Sequence, residues 1–136
     1  MAGRARRRIG TNMHRFFAVG ALALLLLTAC GAEENPVLGK WRGQATSEQL
    51  DGLMIPSGDE PGTLIAEFTT DRVSLNGQLR PVEHKKNEET RYINEIGTNR
   101  TMAAQFPEPD RMKLSMPHRF KADIVVLHLT RMPASP

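Results

Sequence analysis

From Leu38 onward the chain is written almost entirely in period two. Lys40 to Thr46 alternates polar residues with Trp41, Gly43 and Ala45, which predicts a strand with one buried face. Thr63 to Thr69 puts Leu64, Ala66 and Phe68 on one face. Thr70-Asp71 then turns the chain into Arg72 to Leu75, where Val73 and Leu75 alternate, so the two runs predict a hairpin. Asn76-Gly77 is the strongest short turn signal in the chain. It leads into Gln78 to Lys86, which Pro81 marks as an edge or irregular strand. Glu89 to Ile96 carries Tyr92, Asn94 and Ile96 on one side, and Gly97-Thr98-Asn99 turns into Arg100 to Phe106, with Met102, Ala104 and Phe106 in phase. Pro107 to Asp110 forces another reversal. Arg111 to Met116 directs Met112, Leu114 and Met116 inward, and Ile124 to Arg131 ends the series with apolar residues on both faces.

Seven or eight short strands joined mainly by tight turns predict an all-β fold, a small antiparallel meander closed into an up-and-down barrel or open as a half-barrel. No stretch after residue 36 has a convincing helical period. One connection differs from the rest: residues 47–62 contain two prolines among polar residues, yet carry Leu50, Leu53, Met54 and Ile55. Apolar residues on a long loop pack on something, and long loops in small domains tend to be functional.

The other apolar feature lies at the start. Phe16 to Ala29 is an uncharged run of 14 residues preceded by arginines and ended by small residues. It is too short to span a bilayer comfortably, since a transmembrane helix takes about 20 residues, and it has the build of a signal-peptide core. The charge balance then changes meaning. Five of the 18 basic residues precede Cys30 and none of the 15 acidic ones does, leaving 13 against 15, formally −2, for the rest of the chain. The basic pI belongs to the leader, and no electrostatic footprint for nucleic acid remains.

The stretch Leu27-Thr28-Ala29-Cys30 resembles the lipobox of bacterial lipoproteins, in which an apolar residue and two small ones precede an obligatory cysteine. In that family the cysteine thiol receives a diacylglycerol, the leader is cut just before it, and the new amino terminus is usually acylated. The resemblance implies residues 1–29 as signal peptide, Cys30 as the lipidated first residue, residues 30–36 as a polar tether and residues 37–136 as the displayed domain. Two or three acyl chains make a lasting membrane anchor, at about 0.8 kcal/mol per buried methylene. Gly31, rather than aspartate, after the cysteine favours the outer membrane, facing the periplasm, if the cell is Gram-negative.

With the single cysteine assigned to lipid, no thiol is left for a disulfide, a metal site or a nucleophile, so the domain has to hold itself together by packing. Leu38-Gly39-Lys40-Trp41 at the first strand, followed by a long first loop and a meander of hairpins, resembles the lipocalin and lipocalin-like group. There a Gly-x-Trp motif opens the barrel and the first long loop partly covers its mouth. The resemblance implies structural roles for Gly39 and Trp41, with Trp41 plugging the closed end. The 107 residues from Cys30 onward are short for a full lipocalin barrel, so a shallower cup and a filled barrel both stay open.

No catalytic constellation is visible. His84, His118 and His128 form no pair at metal-ligand spacing, no serine sits in a GxSxG elbow, and Glu88-Glu89 are adjacent on an apparent strand edge, facing opposite sides. The expectation is a non-enzyme without metal or cofactor. Two functions remain open. The domain binds a small apolar or amphipathic ligand, with Leu53, Met54 and Ile55 as a lid and Met102 and Met112 lining an adaptable pocket; or its core is filled, the methionines are packing, and it docks an envelope protein through a loop or strand edge. An internal cavity separates the two.

Overall fold

Eight strands close into one antiparallel barrel in the computed structural model, which describes residues 34–134. The signal peptide expected at residues 1–29 and the lipidation site Cys30 lie outside the described residues. In chain order come β1 (Gly39–Gln44), a short helix α1 (Ser47–Gly52), β2 (Thr63–Phe68), β3 (Arg72–Leu75), β4 (Gln78–Asn87), β5 (Thr90–Glu95), β6 (Thr101–Glu108), β7 (Arg111–Pro117) and β8 (Ile124–Arg131). Each strand pairs with its neighbours in sequence, and β8 returns to β1, so the choice between barrel and half-barrel falls to the closed form. Closure removes the free edges that an open meander would leave.

The inward residues are those that the alternation placed together: Leu64, Ala66 and Phe68 from β2, Val73 and Leu75 from β3, and Met112, Leu114 and Met116 from β7; in β8, apolar on both faces, Val125, Leu127 and Leu129 are the set that joins them in one core cluster. In β5 the buried side is the opposite of the one on which Ile96 lies: Ile93 and Glu95 face inward, and Ile96 is 56% exposed. Pro81 is compatible with a closed sheet because it sits one position past the β4–β5 ladder. There its carbonyl accepts from the Ile96 amide, and the missing N–H falls beyond the last residue pair of that ladder, while on the other side Pro81 stands opposite Arg72 of β3.

α1 corrects the expectation that residues 47–62 hold no helix. The Thr46 hydroxyl accepts from the Gln49 amide at 3.1 Å, while the Gln49 side-chain oxygen accepts from the Thr46 amide at 2.9 Å, a reciprocal capping box. A six-residue helix is too short for its hydrophobic period to register, so the Thr-x-x-Gln spacing was the only available signal.

The barrel closes over a short ladder, no longer than the three-pair ladder between β2 and β3. β1 meets β8 through three residue pairs, against seven between β7 and β8. Gly43 sits in that seam, and a Cβ on it would lie 2.3 Å from the His128 carbonyl oxygen. Gly43→Ala is therefore expected to push β1 off β8 and cost about 1–3 kcal/mol, the usual range for an overpacked site. A urea titration that leaves the midpoint unchanged would show that the seam gives way freely.

Candidate functional site: a lidded barrel mouth

The two ends of the barrel are built differently. At the end where β1 begins, Trp41 is fully buried and its indole N–H donates to the Val37 carbonyl at 2.8 Å. The Arg131 guanidinium lies 4.2 Å from the ring centroid, and its two terminal nitrogens donate to the Leu38 and Pro36 carbonyls. Phe106 meets the indole at a tilt, with centroids 6.0 Å apart. Gly39 has φ +121°, and a Cβ there would come within 2.9 Å of the Arg131 guanidinium. Gly39 and Trp41 thus lie in the seal of this end.

The connections β1–β2, β3–β4, β5–β6 and β7–β8 gather at the opposite end, and the longest of them covers it. Leu50, Leu53 and Ile55 of that lid are buried in the same core cluster as the strand residues. Met54, between two buried neighbours, turns outward and is 50% exposed with φ 55°. For a residue with a side chain, the left-handed region costs of the order of 1 kcal/mol.

Polar contacts hold the lid down. The Asn76 side-chain amide donates to the Pro56 carbonyl at 2.9 Å and to that of Thr63 at 3.2 Å, while its oxygen accepts from the Ile65 amide. The Arg119 amide donates to the Gly52 carbonyl at 2.8 Å. Arg80 does most: one terminal nitrogen donates to the carbonyls of Leu53 (3.1 Å) and Met54 (3.0 Å) and to the Gln78 side chain (2.7 Å). Its other terminal nitrogen faces Glu95 at 3.5 Å, and Arg119 reaches the second oxygen of that carboxylate at 3.8 Å. Arg80 and Glu95 are each only 7% exposed. Burial lowers the Arg80 pKa, Glu95 opposes that shift, and nearby Arg100 adds to it.

Of the predicted ligand-binding residues, the structure brings Leu53 and Ile55 into the mouth, turns Met54 out of it, and buries Met102 and Met112 in the barrel interior. Neither methionine lines the clefts that run along the β1–β8 seam beside Gln49, between β2 and residues 57–60, or beside the β4–β5 turn. His128 is exposed, on the outer face of β8 with Ile124 and Val126. Among the described residues no group of three or more His, Cys, Asp or Glu could hold a metal ion. Sequence reasoning missed Arg80, Glu95, Arg119 and Asn76. A signal existed for the first: with Val82 inward on β4, Arg80 shares its face, and a charged residue at an inward position calls for a buried partner. A scan of protein-family models, a search of curated proteins and a search of solved structures all found no match for the chain.

Proposed function

We propose that this chain is an exported bacterial lipoprotein, cut before Cys30 and acylated there, whose lipocalin-like barrel binds a small apolar or amphipathic molecule beneath a movable lid. Supporting the anchor are the 14-residue apolar run and the Leu27-Thr28-Ala29-Cys30 sequence after it. The observation that carries the ligand reading is the lid: a loop outside the sheet inserts Leu50, Leu53 and Ile55 into one mouth while side chains on the barrel grip its backbone. Segments held this way open at lower free energy than the strands beneath them, and ligand-binding loops come from that class. The space filled by the three lid side chains is the proposed ligand space.

Both halves are testable. Cys30→Ser should abolish incorporation of labelled palmitate and leave the precursor uncut; continued labelling and membrane association would overturn the anchor assignment. The barrel, whose closed sheet and core lie within residues 36–134, should bind the neutral apolar dye N-phenyl-1-naphthylamine at one saturable site. Fluorescence that rises only linearly with dye would reject the ligand reading.

A second reading has its own support. Met102 and Met112 are packed among the strand residues with essentially no exposure, as expected of a filled core that serves as a scaffold for docking an envelope protein. On that reading the lid is a permanent plug and the dye finds no site.

A further inference from the structure

Beneath the lid lies a charge imbalance. Arg80 and Arg119 share one buried carboxylate, Glu95, with Arg100 close enough to act on Arg80, and among the described residues no salt bridge joins either Arg80 or Arg119 to any other acid. Neither contact to Glu95 is short, at 3.5 and 3.8 Å, and the closer acceptors of Arg80 are neutral: two lid carbonyls and the Gln78 amide oxygen. A buried guanidinium gains most from an anionic acceptor in hydrogen-bond contact. Here neutral oxygens of the lid occupy that place, and one of them belongs to Met54, which holds a left-handed backbone to reach it.

Resting on the ligand reading above, we infer that the mouth takes an anionic amphiphile: a single carboxylate or phosphate head that replaces the Leu53 and Met54 carbonyls on Arg80, and an apolar chain that replaces Leu53, Ile55 and Leu50. The complementarity is one of charge and of volume. One added anion brings the group of Arg80, Arg100, Arg119 and Glu95 closer to neutrality. The three lid side chains together hold about twelve carbon atoms, and a close-packed site vacated by them receives a chain of about that length. The exposed Met54, Ile96 and Phe120 adjoin the cluster through the chain, since Glu95 precedes Ile96 and Arg119 precedes Phe120, and they offer apolar surface where an amphiphile would enter.

The test compares dodecanoate with its uncharged methyl ester, both below their aggregation limits, by calorimetry and native mass spectrometry on the wild-type barrel. Dodecanoate is expected to bind with 1:1 stoichiometry and at least tenfold more tightly than the ester. Arg80→Gln and, separately, Arg119→Gln should shrink that ratio several-fold, whatever each does to ester binding through the lid. Arg119→Gln carries the comparison if Arg80→Gln does not fold, as judged by the fluorescence of the single tryptophan. Equal affinity for acid and ester overturns the head-group inference and leaves an apolar ligand site standing. No binding of either overturns both.

Discussion

Trp41→Ala should lower the unfolding free energy of the barrel by about 3–5 kcal/mol, the range for deleting a large buried aromatic. The loss has three sources that act together. A fully buried indole disappears from the core, the Val37 carbonyl loses its only indole donor, and the Arg131 guanidinium, stacked at 4.2 Å, is left over a void. Domains of this size are stable by about 5–15 kcal/mol in all, so the variant should be poorly folded at 37 °C. Trp41→Phe keeps an aromatic core but no indole N–H, and should recover more than half of the loss. Since Trp41 is the only tryptophan, unfolding has to be followed by circular dichroism. A loss below about 1 kcal/mol for Trp41→Ala would mean that the sealed end is not what holds the barrel shut.

A comparable loss is expected at the other end. Arg80→Met removes the donor to two lid carbonyls and leaves Glu95 buried with Arg119 alone, at 3.8 Å. Breaking a buried ion pair from one side costs about 3–5 kcal/mol, because the orphaned charge stays in a low-dielectric site. The double variant Arg80→Met with Glu95→Leu removes both charges and should regain most of that loss, ending close to wild type. The recovery, not the single-variant loss, follows from the Arg80 pKa: burial lowers it, so the charged form is disfavoured in the folded state, a cost that Glu95 offsets in part and that the double variant removes. Urea unfolding monitored by Trp41 fluorescence gives both values. If the single and double variants lose the same amount, Arg80 and Glu95 are not coupled and the latch at the mouth is held by something else.

Most of the barrel was legible because period-two burial is a local property. Leu64, Ala66 and Phe68, or Met112, Leu114 and Met116, declare their face without reference to the rest of the fold. In β5 the pattern was ambiguous, since Tyr92 and Ile96 lie on one side and Ile93 on the other, and only pairing with β4 and β6 decides which side is buried. Closure was equally out of reach, because β1 and β8 meet across the whole length of the domain and nothing local to either strand announces the other. The lid was recognisable as an unusual loop with apolar residues. Its short helix was hidden in one capping spacing, and its latch was hidden because Arg80, Glu95 and Arg119 come together only through the closed sheet. The Leu27-Thr28-Ala29-Cys30 stretch is the reverse case: four consecutive residues whose resemblance to a lipobox is visible in the sequence alone.

Native mass spectrometry of the barrel, produced without residues 1–30 and purified without detergent, tests the lidded-site proposal most directly. Reproducible addition of one small molecule per barrel, released on denaturation and carrying a single anionic group, is the predicted result. A clean ligand-free mass in every preparation, unchanged after incubation with dodecanoate, would contradict it and leave the packed barrel as a docking scaffold.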